Sequence, residues 1–94
     1  SAASDVYKRQ DLDIGYYLQA QSQLALGNIE AALRNSRKAY SLKPDEPRNV
    51  ILLARVEQSA GNFKRAMELG EDVISTKPDS AIGYVLKGDA LLAQ

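Results

Sequence analysis

Residues 27–45 read GNIEAALRNSRKAYSLKPD, and residues 61–79 read GNFKRAMELGEDVISTKPD. The second stretch repeats the first at a displacement of 34 positions, matching Gly27-Asn28 with Gly61-Asn62, Ala32 with Ala66, Ser41 with Ser75, and Lys43-Pro44-Asp45 with Lys77-Pro78-Asp79. Upstream, the same step carries Leu18 to Leu52 and Ala20 to Ala54, and it runs from Tyr16 through Val50 to Tyr84. Self-similarity at one fixed period means that a single supersecondary unit is stacked on copies of itself.

Each unit holds two helical windows, because apolar residues recur every three or four positions while the Gly-Asn pairs and the prolines fall between windows. The pattern predicts helices over 14–26, Ile29–Leu42, 48–60, Phe63–Thr76 and Ala81–Ala93. A Gly-Asn pair supplies the left-handed or turn conformations that end one helix and start the next, which forces an antiparallel hairpin. Pro44 and Pro78 close the hairpins, since proline cannot continue a helix and biases the preceding residue away from helical geometry.

Composition narrows the function. The chain has 94 residues, 45% hydrophobic and 26% charged, which fits one small globular domain. It has no cysteine and no histidine, which excludes disulfides, thiolate chemistry, catalytic triads and the usual zinc or iron–sulfur ligand sets. Lys plus Arg and Asp plus Glu number 12 each, so no net field favours a nucleic acid or an anionic membrane. No apolar run approaches the roughly 20 residues that span a bilayer, and no basic segment leads into a signal core. The expectation is a soluble chain of unassigned compartment. The opening SAASDVYKRQ matches nothing later, and it reads as a leader, linker or cloning-derived piece, so residues 1–12 are set apart from the repeats.

Small residues recur where paired helices should cross: Ala20 and Ala54, with Gly88 in the third unit, face Ala32 and Ala66. Tyr16, Leu33, Tyr40, Val50, Met67, Ile74 and Tyr84 are expected to fill the space around that crossing. A helix-turn-helix of this period, with small crossing residues and a closing proline, resembles the tetratricopeptide repeat. In the first unit Tyr16 takes the large aromatic position, Ala20 and Ala32 the small ones, Ala39 the later small site and Pro44 the terminator. Val50, Ala54, Ala66, Val73 and Pro78 follow in the second unit, and Tyr84, Gly88 and Leu91 begin a third. The resemblance implies an all-α, right-handed α-solenoid of antiparallel helix hairpins with five main helices. Repeat 1 would span 13–46, repeat 2 would span 47–80, and 81–94 would be the first helix of an incomplete repeat 3. The motif's leucine is replaced by Gln19 and Lys87, its tyrosine by Gln23 and Glu57, and its second-helix aromatic by Ser36 and Gly70; weaker core packing is expected there. The pentatricopeptide RNA-reading repeat, with a longer period and a basic groove, fits this neutral chain less well.

The resemblance further implies that first helices line a concave groove and second helices form its back. The groove stripes become Ile14, Tyr17, Gln21 and Leu24, then Arg48, Ile51, Arg55 and Gln58, then Ile82, Val85, Asp89 and Leu92. Steps of three and four put each set on one helix face. Apolar groups beside two arginines suit a peptide carrying hydrophobic anchors and an acidic side chain or terminal carboxylate. The lysine and asparagine clamp of the family's chaperone-tail-binding branch is absent, since Tyr17, Gln21, Leu52 and Leu86 stand at the corresponding sites. The function implied is a non-catalytic protein or peptide-binding scaffold, as part of a longer repeat protein.

The alternative is a self-associating module. Glu30 and Lys64, Arg34 and Glu68, Arg37 and Glu71, and Lys38 and Asp72 carry opposite charges one repeat apart, which predicts a charge ladder between stacked second helices or between two copies. Ile82, Leu91 and Leu92 make the last helix too apolar for a solenoid end, so a following helix or a second copy is expected to cover it. Chemistry is not expected: phosphate-binding glycine motifs are missing, and the neighbouring acids Glu71-Asp72, Asp45-Glu46 and Asp11 with Asp13 lack an enclosed cavity. No cofactor, metal or nucleic-acid partner is called for.

Overall fold

The computed structural model describes residues 2–76 and 81–93, with side chains over 12–75 and 81–93. Five α-helices form among the described residues: α1 (Ala2–Ala25), α2 (Ile29–Leu42), α3 (Pro47–Ser59), α4 (Phe63–Thr76) and α5 (Ala81–Ala93). The architecture is all-helical, as the period predicts, and no strand occurs among the described residues. The expected turn at Lys77-Pro78-Asp79 lies outside them.

The Gly-Asn pairs act through the backbone. Gly27 and Gly61 adopt φ of 79° and 85°, a region where a side chain would clash. Asn28 N–H donates to Gln23 O at 2.8 Å and Gly27 N–H to Leu24 O at 3.1 Å; Asn62 and Gly61 repeat this with Glu57 O and Gln58 O at 2.8 and 2.9 Å. These paired bonds satisfy carbonyls that a helix end would leave unpaired. Each asparagine carbonyl then accepts the first bond of the next helix, from Ala32 N–H and Ala66 N–H. At the other turn Lys43 N–H reaches Ala39 O at 3.0 Å, and α3 begins with Pro47 in its first turn, where the missing N–H costs nothing. Most ends lie within a residue of expectation, but α1 begins at Ala2, through the segment read as a leader. That segment contains no Gly or Pro, so nothing local stops the helix from extending upstream.

Consecutive helices pack on one another, and α3 also touches both α1 and α5. The crossing alanines behave as their spacing implies, with Ala20, Ala32, Ala54 and Ala66 all fully buried. Two core clusters result. Ala20, Ala32, Leu52 and Val56 join α1, α2 and α3, with Tyr17, Leu24 and Leu33 at the margin. Val50, Leu53, Ala54, Leu69 and Leu86 join α3, α4 and α5, flanked by Tyr40, Ile51, Val73 and Ile82. Helix α3 supplies residues to both, and each buried leucine is worth about 2 kcal/mol of transfer free energy. Tyr84 departs from expectation: it is 56% exposed, because no second helix covers that side of α5 among the described residues.

Two of the departures from the repeat motif, Ser36 and Gly70, are buried at helix contacts. Gly70 and Gly83 are both buried where α4 crosses α5. A Cβ at Gly70 would lie 2.8 Å from Lys87 N and 2.9 Å from Gly83 O, so the bare backbone is what lets these helices approach. One repeat earlier, the same two positions hold Ser36 and Asn49, both about 1% exposed. There the Ser36 hydroxyl donates to Leu33 O, and Asn49 Nδ2 donates to Ala39 O and Lys43 O.

Candidate peptide-binding face

Helices α1, α3 and α5 lie side by side with α3 between the other two, and each carries one of the three sets of residues expected to line a groove. Ile14, Gln21, Arg55, Val85, Asp89 and Leu92 are exposed, Leu92 the most at 88%. Tyr17, Leu24, Arg48, Ile51, Gln58 and Ile82 are half-buried. Four of these already have work in the core, Tyr17 and Leu24 beside the first cluster and Ile51 and Ile82 beside the second. Of the residues expected to mediate self-association, Leu91 and Leu92 are exposed, whereas Ile82 packs inward.

The two arginines differ. Arg48 Nη2 donates to Asp13 Oδ2 at 2.8 Å and its Nη1 lies 3.5 Å from Glu46 Oε1. Its guanidinium carbon also sits 5.9 Å from the centre of the Tyr17 ring, a cation–π distance. Asp13 is fully buried and takes a second bond from Asn49 Nδ2 at 3.0 Å. Burial pushes the Asp13 carboxyl up, but the hydrogen bonds from Asn49 and Arg48, with the charges of Arg48 and Lys43, outweigh it and hold the pKa below its ordinary value. Asp13 Oδ1, Asn49 Oδ1 and Arg48 Nε find no partner among the described residues, so the network fixes geometry at some cost in stability. Arg55, in contrast, is exposed on α3 and has no ion-pair partner among the described residues.

A second polar network was not foreseen from the sequence. Glu57 is 1% exposed, and its carboxylate accepts from Arg37 Nε at 3.1 Å, Arg37 Nη2 at 2.9 Å and Asn62 Nδ2 at 2.8 Å. Hydrogen bonding to Glu57 raises the Arg37 pKa above its ordinary value, partly opposed by desolvation. The equivalent Gln23 accepts from Asn35 Nδ2 at 2.8 Å. Position by position, a hydrogen-bonded polar side chain replaces the repeat motif's tyrosine. For Glu57 the available signal was Asn62, five residues on; Gln23 is bonded instead by Asn35, twelve residues on. These pairings also correct the expected ladder: Arg37 binds Glu57, Glu68 meets Arg65 at 3.6 Å and Glu71 meets Lys87 at 3.6 Å. The rungs Arg34 with Glu68 and Arg37 with Glu71 do not form, because nearer partners on α3, α4 and α5 take the charges first. Glu30 and Lys64 are not ion-paired among the described residues.

No helix among the described residues is long and apolar enough to cross a membrane. No curated protein and no solved structure matches the chain. The family profile described as tetratricopeptide repeat matches residues 23–94, more than half of the chain, from the last residues of α1 onward. Repeats of this kind are generally scaffolds for protein–protein interaction and typically non-catalytic. Hairpins closed by Gly-Asn turns, alanines buried at each crossing and a profile match over most of its length agree, and the chain belongs to the tetratricopeptide repeat family.

Proposed function

We propose that the first-helix face is a non-catalytic binding site for a protein or peptide segment, with repeats over 13–46 and 47–80 and the helix of 81–94 as the binding unit and 1–12 outside it. Arg55 carries the reading: an exposed guanidinium without an ion-pair partner among the described residues stands on the central helix. Ile14 and Val85 are exposed on the helices at either side. A guanidinium suits an acidic side chain or terminal carboxylate, and the flanking apolar groups suit hydrophobic anchors. Arg48 has a supporting role, because Asp13 and Tyr17 already occupy it. The test is selection from a random peptide display library, followed by calorimetry of the selected peptide. Arg55→Glu is expected to weaken binding by about tenfold or more, the equivalent of one charged contact. Unchanged affinity in that variant would remove Arg55 from the site.

A second reading is self-association through α5. It is supported by Tyr84, Val85, Leu91 and Leu92, all more than half exposed on one helix, since contiguous exposed apolar surface marks an interaction site.

A further inference from the structure

The backbones of α2 and α4 do not meet among the described residues, and an open cleft of about 760 Å³ lies between them, walled by Arg37, Asn62, Phe63, Lys64, Arg65 and Glu68. It shares Arg37, Glu57 and Arg65 with an adjoining recess of about 380 Å³, where Tyr40 and Leu53 contribute. We propose that this second-helix cleft is a separate docking site whose occupant is an acidic peptide segment.

Preorganised charge is the main argument. Glu57 holds Arg37 through Nε and Nη2, and Asn62 in turn fixes Glu57. The Arg37 side chain is nevertheless 55% exposed, and its Nη1 has no partner among the described residues. A guanidinium clamped along one edge with the other edge open loses little freedom on taking a carboxylate. Arg65 is placed by a different device. Its guanidinium carbon lies 5.9 Å from the centre of the Tyr40 ring, and its contact with Glu68 is long, at 3.6 Å. Lys64 is exposed on the same wall.

The charge of Glu57 is spent on Arg37, so Lys64 and Arg65 face only Glu68 and the cleft is left with an excess of positive charge. Tyr40 and Phe63, both half-buried, offer aromatic contact between the charged groups, which a peptide with alternating acidic and hydrophobic residues would use. A nucleic acid fits less well, because the half-exposed Glu68 carboxylate would oppose its unbroken run of phosphates, whereas a peptide can set an N–H there. The proposal is independent of the first-helix face, and either can fail alone.

The probe is a short fluorescein-labelled peptide of alternating Glu and Leu, titrated with the full chain and followed by anisotropy, with a Gln-for-Glu peptide as control. Saturable binding of the acidic peptide alone is expected. In a chain carrying Arg55→Glu, which takes the first-helix face out of the measurement, Arg65→Glu is expected to weaken it by about tenfold or more, since one charged contact is worth that much. Because altering Arg37 could disturb the fold through Glu57, amide chemical shifts of the unaltered chain supply the second readout. Titration should move Gly61, Asn62, Phe63 and Arg65. The proposal is overturned by no saturable binding up to millimolar concentration, by equal binding of the Gln peptide, by binding that Arg65→Glu leaves unchanged, or by a uridine oligonucleotide moving the same amides at lower concentration.

Discussion

Asp13 has no exposed surface, and two donors hold its carboxylate in the charged form. Its pKa in the folded chain is lowered, so between the folded and unfolded values the unfolded state binds more protons and stability rises with pH. The contribution is complete above the unfolded carboxylate range and is lost as pH falls through the folded value. Thermal unfolding of the natural chain and of Asp13→Asn, followed from about pH 6 to about pH 2, should show a gap of about 2 kcal/mol that closes as the acid limb is reached. A gap constant over that range would mean that the charge of Asp13 contributes nothing. The pairing was partly legible: Arg48 and Asn49 stand 35 and 36 positions after Asp13, one repeat and a step or two, which puts all three on successive first helices. That Asp13 would be buried and bonded was not legible, because burial in the middle of α1 depends on how the neighbouring hairpin packs on it. Glu57 teaches the same lesson, since sequence alone priced the missing aromatic ring and could not see three donors converging on the carboxylate.

At the scale of helices, two glycines of similar sequence setting have opposite meanings. Gly70 has backbone of α5 within 3 Å of where its Cβ would stand, and the far side of Gly88 is open, with nothing within 4 Å. Backbone cannot move aside as a flexible side chain can. Gly70→Ala should therefore force α4 and α5 apart and destabilise by about 2 kcal/mol, exceeding the gain in helix propensity. Gly88→Ala meets no obstacle and should stabilise by up to about 1 kcal/mol through propensity alone. Urea denaturation of both variants checks the pair, and a stable Gly70→Ala chain would show that the close crossing is dispensable. Pattern reading placed the small residue of the third unit at Gly88, the register position of Ala20 and Ala54. The tight contact lies instead at Gly70 and Gly83, because how near two helices come is set jointly by both partners and is absent from the periodicity of either. Helix ends, by comparison, were readable to within a residue at most termini, since Gly27, Gly61 and Pro47 act on the chain within a few residues of themselves.

For the molecule as a whole, the exposed side of α5 decides between a monomer with a free face and an assembly. If Leu91 and Leu92 meet a second copy, light scattering from micromolar to near-millimolar concentration should show a mass that grows with concentration, and the double variant Leu91→Lys, Leu92→Lys should stay monomeric. A monomer at every concentration for the natural chain would sink the self-association reading and leave the first-helix face as the surface to screen. Period, helical class and hairpin connections can be read along the chain, because they follow from local rules: left-handed glycine after a helix, proline at its limits, apolar residues at three- and four-residue spacing. Tertiary structure alone decided which charges pair, which arginine stays open and where a cleft remains between second helices. Arg37 could have met Glu71 one repeat away or Glu57 on α3; the choice rests on distances between helices, which packing of the two cores sets and which no spacing along the chain encodes.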